Sequence, residues 1–254
     1  MIADETGWAD PEVRAIVENA ELAFSAVTTE SGPHLTPHIV SIAADRLWFV
    51  TPEASIKARM LRNRPGIALT AWLPGSDMAV VLHGDAHVLD AARPLAMAGH
   101  ALETLRGSLG FASYLGDNIG DTLATVRDAS TGRTSIAGRR VLVGVQPDRV
   151  TLIGVRADAS AALAWITPGG PIAVPGTWHD ADADAFLHPD AASLLSGATI
   201  SQVAVAIDQS TGTGAAQRRG SMMRGHGILR GEVVEMDVQR ITTWSGTDVR
   251  TVQA

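Results

Sequence analysis

The segment Thr51–Arg59 combines residue types that could bind a phosphate group. Its sequence, Thr-Pro-Glu-Ala-Ser-Ile-Lys-Ala-Arg, lies between an apolar strand pattern and a short helical pattern. Thr51 and Ser55 offer hydroxyls, Lys57 and Arg59 offer positive charge, and the start of a helix offers free backbone N–H groups. The alternative is an ordinary Ser-capped helix with solvated basic side chains. The spacing therefore indicates a candidate anion site. The residues around the segment must decide between this site and an ordinary capped helix.

Lys57 is the only lysine of the chain, beside 19 arginines. The arginine bias and the high alanine content are typical of a GC-rich genome. A lysine that persists under such a bias invites a functional explanation, because its ammonium is a compact, strongly hydrated point charge that a guanidinium does not replace. The alternative is that one lysine survived by chance.

The surrounding pattern predicts the elements that would position this segment. A helix is expected over residues 10–20, capped by Asp10, and three short strands over residues 22–52. A short helix over 55–65 and two strands over 66–89 follow, and then a strand over 141–155 with a turn at Pro147-Asp148. The segment between them, about 91–136, has helical spacing broken by glycines and predicts a helical insertion.

The pattern of the first part of the chain starts again after residue 155. Matching residues recur in the same order: Pro33 and Pro171, Pro37 and Pro175, Phe49 and Phe186, Pro52 and Pro189, Gly84 and Gly225, Arg149 and Arg240. The sequence therefore predicts two repeats, 1–155 with the insertion and 156–254 in degenerate form. Short strands at this spacing favour small barrels, and two copies in one chain favour a pseudo-two-fold pair.

These motifs together resemble the pyridoxamine 5'-phosphate oxidase-like superfamily of split β-barrels. The resemblance is carried by Gly-Pro-x-x-x-Pro at 32–37, by the Thr51–Arg59 segment and by Pro-x-Arg-Val at 147–150. It implies a mainly β fold of two split β-barrels with short helices, related by a pseudo-two-fold axis. It also implies one cofactor, FMN or the deazaflavin F420, and the GC-rich composition favours F420.

The resemblance implies a cofactor site in the first repeat. Ser55, Lys57 and Arg59, with the intervening Ile56, would hold the cofactor phosphate, and Thr51 would contact the ribityl chain or the phosphate. A strand segment would run along the edge of the ring system mostly through its backbone, namely Pro37, His38, Ile39 and Val40.

The second repeat departs from this pattern, because Ala192 and Leu194 stand opposite Ser55 and Lys57 and cannot neutralise a phosphate. One site per chain is therefore expected, with the second repeat as its opposite wall. The wall candidates are Gln217, Arg218, Arg219, Met222, Arg224 and Trp244. Their arginines could hold an acidic substrate or an acidic cofactor tail. The alternative is a solvated hairpin with Met222 in the core.

The composition excludes several classes of protein. The chain has 254 residues, a net charge of −7 and no cysteine, so cysteine catalysis, iron–sulfur clusters and disulfides are excluded. The negative charge argues against a nucleic-acid or anionic-membrane partner. Without a targeting pattern or a long apolar run, we expect a cytoplasmic protein. It would be a pseudo-dimer within one chain that can remain monomeric, with a small-molecule substrate.

Two weaker motifs receive structural interpretations. Gly212-Thr213-Gly214 suggests a dinucleotide loop but lacks the helix and the distal acid that such a loop requires. The His179–His188 stretch contains metal-ligand residue types, but its alternation with alanine favours a strand or turn with one solvated face. No metal site is predicted.

The function predicted from these residues is an oxidoreductase. It would transfer a hydride between F420 or FMN and a small organic substrate, with the protein supplying position and exclusion of water. The alternative is a protein that binds a flavin, F420 or haem without turnover, as a carrier or sensor.

Overall fold

A computed structural model gives the fold of most of the chain. It describes six segments, residues 4–89, 140–180, 182–195, 202–210, 218–246 and 248–254. The helical insertion predicted at 91–136, the Gly212-Thr213-Gly214 motif and Gln217 lie outside the described residues. In the described segments, no helix is long and apolar enough to cross a membrane.

Helix α1 (Pro11–Asn19) begins where the sequence predicts it. The Asp10 carboxylate accepts a hydrogen bond from the backbone N–H of Glu12 at 2.8 Å, and proline occupies the first turn, where its missing N–H costs nothing. The apolar face of the helix, Val13, Ile16 and Val17, is buried in the core of the first barrel.

The first barrel is built from strands β1 to β8 and helix α2. Its sheet has the order β3-β2-β6-β7-β8-β5-β4, with β1 added on β8, and every pairing is antiparallel. The elements are β1 (Asp4–Thr6), β2 (Ala23–Thr29), β3 (Gly32–His38), β4 (Ser41–Ala43), β5 (Arg46–Pro52), α2 (Ile56–Asn63), β6 (Gly66–Trp72), β7 (Met78–Leu89) and β8 (Arg140–Gly154).

Two sequence expectations for this barrel were wrong in detail. Four strands occupy residues 22–52, not three, because the chain leaves strand conformation at Ile39-Val40 and this break separates β3 from β4. The Ala44-Asp45 turn then joins β4 to β5. Both turn residues have positive φ, 51° and 59°. Strand β8 also runs straight through Pro147-Asp148, where the sequence suggested a turn. The irregularity there is a β-bulge, with a register shift between His83 and Gly84 on the partner strand.

The second barrel is built from strands β9 to β15 and helix α3. Its sheet has the order β11-β10-β9-β12-β13-β14-β15, again antiparallel, and a further β11–β14 pairing closes it. The elements are β9 (Ala161–Thr167), β10 (Gly170–His179), β11 (Asp184–Phe186), α3 (Pro189–Leu195), β12 (Val203–Asp208), β13 (Arg219–Arg230), β14 (Val233–Ser245) and β15 (Asp248–Gln253).

The two barrels share one topology. The order β3-β2-β6-β7-β8-β5 of the first matches β10-β9-β12-β13-β14-β11 of the second. Both contain a β-bulge at the same place, at Gly84 and at Gly225. A Cβ at Gly84 would lie 2.1 Å from the carbonyl oxygen of Gln146, and one at Gly225 would lie 1.9 Å from that of Asp237. Only glycine allows this close approach, which explains why both positions lack a side chain.

The barrels pack against each other reciprocally. Strand β3 lies against β9 and β12, and its counterpart β10 lies against β2 and β6. Between them is a shared apolar cluster, the seam core, made of small alanines with a few large side chains: Phe24, Ala26, Leu35, Ala68, Ala162, Ala164, Ala173, Ala204, Ala206 and Met222. Each barrel also has its own core. The predicted fold class, mainly β with two split barrels, is confirmed.

Candidate functional site

Lys57 is buried inside the first barrel, with 2% of its surface exposed. Helix α2 places it there because Lys57, Ala58 and Leu61 form the inward face of the helix. Its Nζ donates hydrogen bonds to Oγ of Ser25 and Oγ1 of Thr36 and contacts Nε2 of His38. We call these four residues, Ser25, Thr36, His38 and Lys57, the Lys57 cluster.

The strand register assembles the cluster from distant parts of the chain. Ser25 on β2 pairs directly with Thr36 on β3, so the two hydroxyls lie side by side. His38 follows two residues after Thr36 and therefore faces the same way. Its ring packs on Phe49, with centroids 4.4 Å apart, and Lys57 Nζ lies 5.5 Å from the Phe49 centroid. Phe49 is thus an apolar wall behind the polar groups.

The start of helix α2 adds two further hydroxyls. Ser55 is the N-cap, and its Oγ accepts a hydrogen bond from the backbone N–H of Ala58 at 3.1 Å. Thr51, at the end of β5, places Oγ1 3.2 Å from Ser55 Oγ. The capping role that the sequence offered as an alternative is therefore present. Thr51 and Ser55 also lie at the same helix end from which Lys57 enters the barrel.

The nitrogen groups of the cluster are basic, and burial keeps water away from them. Burial lowers the pKa of Lys57 well below its usual value, and no carboxylate of the described residues raises it. The pKa of His38 is lowered by burial first and then by Lys57, Arg218 and His34. The pKa of His34 is lowered to about 3 by burial, Lys57 and Arg224. Both imidazoles are therefore neutral at pH 7, beside an amine for which the described residues supply no counter-ion.

The second barrel contributes charge to this site. Arg218, which precedes β13, acts on His38, and Arg224 within β13 acts on His34. Arg224 also donates a hydrogen bond from Nη1 to Oγ of Ser31, in the β2–β3 turn, at 3.2 Å. Arg218 and Arg224, two of the residues proposed for the opposite wall, therefore lie near β3.

The other predicted site residues take varied positions. Pro37 and His38 end β3, which is the edge strand of its sheet, and Ile39 and Val40 connect β3 to β4. On α2, Ile56 is 41% exposed and Arg59 is exposed. Met222 is buried in the seam core, Trp244 packs against that core, and Arg219 is exposed. The structure thus brings His38 and Lys57 into contact, with Arg218 acting on His38, and joins Thr51 and Ser55 at the start of α2. Ile56, Arg59 and Arg219 are exposed.

Sequence reasoning missed three residues of the site, Ser25, Thr36 and His34. A signal for them existed. His34, Thr36 and His38 alternate along β3 with Leu35 and Pro37, which places three polar side chains on one face of a strand. Ser25 is a polar residue within an apolar strand and is fully buried. A buried hydroxyl needs a hydrogen-bond partner, and Lys57 is that partner.

A phosphate group fits the chemistry of these donors. The cluster offers a desolvated amine, the hydroxyls of Ser25 and Thr36, and neighbouring arginine charge from the second barrel. In the part of the chain that the structure describes, no acidic side chain acts on Lys57. An anion would supply the missing counter-charge, since a buried cation is costly unless it is paired.

Comparison with known proteins gives structural likenesses only. No protein-family profile matches the sequence, and no curated protein matches it. The structure resembles an FAD-binding protein from Mesorhizobium loti, with a TM-score of 0.42 and 12% identity over 61% of this chain and 100% of that one. It also resembles an F420 reductase, with a TM-score of 0.38 and 15% identity over 56% of this chain and 98% of that one.

A third likeness is to a conserved hypothetical protein from Mycobacterium tuberculosis, with a TM-score of 0.41 and 19% identity over 59% of this chain and 87% of that one. These likenesses, to an FAD-binding protein and an F420 reductase among others, concern the fold alone. The described strands of this chain form two barrels of one topology.

Proposed function

We propose that the chain binds one phosphate-bearing redox cofactor, FMN or F420, between its two barrels and acts as an oxidoreductase. The observation that carries this proposal is the buried amine of Lys57, which has hydroxyl and imidazole neighbours and on which no carboxylate of the described residues acts. Such an arrangement costs stability in a protein unless an anion binds there. When bound, the cofactor would supply the hydride chemistry.

The residues have distinct roles in this proposal. Lys57, Ser55 and Thr51 hold the phosphate, and Ser25 and Thr36 orient the amine. The free edge of β3 at Pro37 and His38, with the following Ile39 and Val40, lies along the ring through its backbone groups. Arg218, Met222 and Trp244 form the opposite wall. Ile56, Arg59 and Arg219 are exposed, and the two arginines contribute little beyond general positive charge.

The first test is cofactor binding. Purified protein is titrated with FMN, F420 and haem, and the absorption spectrum is recorded at each step. We expect one phosphate-bearing cofactor to bind, and Lys57→Ala to weaken it by about 1.5–3 kcal/mol, on the order of ten- to a hundredfold in Kd. Arg62→Ala is the matched control, because Arg62 lies on the same helix but is exposed and near Glu53, 3.8 Å away. Equal affinity of the Lys57 variant and the control would refute the proposed phosphate site.

A second candidate function is binding without turnover, as a carrier or sensor. It is favoured by the neutral state of His34 and His38, because an imidazole with a strongly lowered pKa is a poor proton donor at pH 7. The two functions differ in one measurement. An oxidoreductase should transfer a hydride from the bound reduced cofactor to at least one class of small acceptor, such as quinones, enones or imines, faster than free cofactor does. A carrier should accelerate none of them.

A further inference from the structure

A polar cavity, separate from the Lys57 cluster, lies at the end of β3 opposite to His38. It has a volume of about 200 Å³ and is formed between the β2–β3 turn of the first barrel and strands of the second. Its lining contains one hydroxyl, three amides and two guanidinium groups, from Ser31, Gln202, Gln239, Gln253, Arg224 and Arg240. The described lining contains no carboxylate.

The two arginines of the pocket are cross-strand neighbours, and the described lining supplies no carboxylate to neutralise their charges. Arg224 on β13 pairs directly with Arg240 on β14, next to the bulge at Gly225. The pKa of Arg224 is lowered, first by burial and then by Arg240. Its Nη1 donates to Ser31, but its Nε is buried and has no hydrogen-bond partner among the described residues. An unpartnered buried N–H next to a like charge is costly, and an anion would relieve both costs.

We propose that this cavity, the Arg224–Arg240 pocket, binds the carboxylate or phosphate group of a small organic acid. Guanidinium groups bind such oxyanions through two parallel hydrogen bonds, and the glutamine amides can donate further ones. The cavity has room for an oxyanion and a few attached carbon atoms, but it is smaller than the usual pocket for a drug-sized ligand, about 300 Å³ or more.

The pocket adjoins the Lys57 cluster but does not depend on it. Arg224 lowers the pKa of His34, which lies two residues before Thr36 on β3. A ligand in the pocket would therefore approach a cofactor bound at the cluster. Two sources can present the same oxyanion, the acid group of a substrate or the acidic tail of the deazaflavin cofactor. The pocket rests on its own geometry and stands even if the proposed cofactor site is wrong.

The test is a calorimetric titration of the full chain with citrate, in wild type and in a Lys57→Ala background. We expect one citrate per chain in the Lys57→Ala background, where the cluster has lost the amine that could itself attract an anion, because the pocket and the cluster are separate. Arg240→Gln should weaken citrate at least tenfold, and Arg240→Lys should recover part of the loss by restoring charge without the bidentate geometry. Arg230→Gln is the control, since Arg230 lies on the same strand β13 but is exposed and paired with Glu235 at 3.0 Å.

Three results would overturn the pocket. They are no citrate binding in the Lys57→Ala background, an equal loss in Arg230→Gln, and unchanged citrate affinity in a folded Arg240→Gln variant. Thermal melting of each variant shows whether a loss comes from unfolding. If Arg240→Gln unfolds the chain, Arg224→Gln replaces it, and retention of full citrate affinity in a folded variant also overturns the pocket.

The source of the oxyanion is decided by FMN and F420 titrations of Arg240→Gln. Weaker binding of F420 with unchanged affinity for FMN indicates that the pocket holds the acidic tail of the deazaflavin cofactor. Unchanged affinity for both cofactors indicates that it holds the acid group of a substrate. An equal loss of both would mean that Arg240 belongs to the cofactor site, which overturns a separate pocket. Failure here leaves the Lys57→Ala result untouched, so the two proposals can fail separately.

Discussion

The two barrels have the same strand register but place opposite kinds of residue at equivalent positions. In the hairpin of the first barrel Thr29 pairs with Gly32, and in the second Thr167 pairs with Gly170. Counted from these turns, Ser25, Thr36 and His38 correspond to Leu163, Val174 and Gly176. The first set surrounds an amine, whereas Leu163 and Val174 are fully buried in an apolar core.

The helices complete the comparison. The buried residues of α2 are Lys57, Ala58 and Leu61, and those of α3 are Ala191, Ala192 and Leu195. The position of Lys57 is therefore taken by Ala191, not by Leu194 as the sequence pairing suggested. The difference arises because α3 begins at Pro189 itself, whereas α2 begins four residues after Pro52. The substitution is apolar in either alignment, so only the first barrel has an amine at this place.

This difference separates two uses of one scaffold. An apolar set of this kind gains stability from burial and close packing. A polar set contributes less to stability, because each buried polar group must first be desolvated. A polar set that is present in only one barrel is expected to serve binding. If so, the first barrel binds the ligand and the second mainly stabilises the fold.

The largest expected effect is on stability in the second barrel. Leu163→Ala leaves a cavity in a fully buried site and should lower the free energy of unfolding by about 2–5 kcal/mol. The equivalent change in the first barrel, Ser25→Ala, should cost about 1.5 kcal/mol or less, since it removes one hydrogen bond. Denaturant-induced unfolding measures both. A larger loss for Ser25→Ala would mean that the polar cluster is the main stabilising core.

An effect of opposite sign is expected for the double variant Ser25→Ala/Lys57→Met. It removes the desolvated amine together with the buried hydroxyl that the amine satisfies, so the free energy of unfolding without cofactor should rise by about 1 kcal/mol or more. The same variant should lose the cofactor phosphate. Stability and cofactor affinity are measured on one sample. A variant that is both less stable and fully competent in binding would contradict a binding role for Lys57.

A further expected effect is a dependence of stability on pH. The pKa of His34 is about 3 in the folded chain and 6.5 ordinarily, so the folded state binds fewer protons between these values. The stability linked to the neutral form of His34 is therefore fully present above about pH 6.5 and is lost as the pH drops towards 3. His34→Gln should flatten this fall, measured as the melting temperature between pH 6.5 and 4. An unchanged slope would show that His34 is not the group responsible.

The sequence predicted the topology well because turns carry local signals. Glycine and proline positions located both hairpins. The matching of Gly84 with Gly225 identified equivalent positions in the two repeats, although the bulges at these positions were not predicted. Lys57 was identified by its rarity and its spacing from Ser55. Its partners were not, because Ser25 lies 32 residues away and the register of β2 against β3 decides the contact.

The sequence also could not show which way the basic residues face. Lys57 and Arg59 are two residues apart on one helix, so they lie on different faces, and only packing against the barrel decides which one is buried. The structure buries Lys57 and exposes Arg59. In the same way, burial of Met222 in the seam follows from the packing of the two barrels, which no local pattern specifies.

The most direct test of one functional barrel and one structural barrel is the stoichiometry of cofactor binding. Calorimetric titration of the full chain, with the phosphorus NMR signal of the bound cofactor as an independent count, should give one phosphate-bearing cofactor per chain. Lys57→Met should reduce that number to zero while the chain stays folded. Two cofactors per wild-type chain, or one still bound tightly to the folded Lys57→Met variant, would contradict the account.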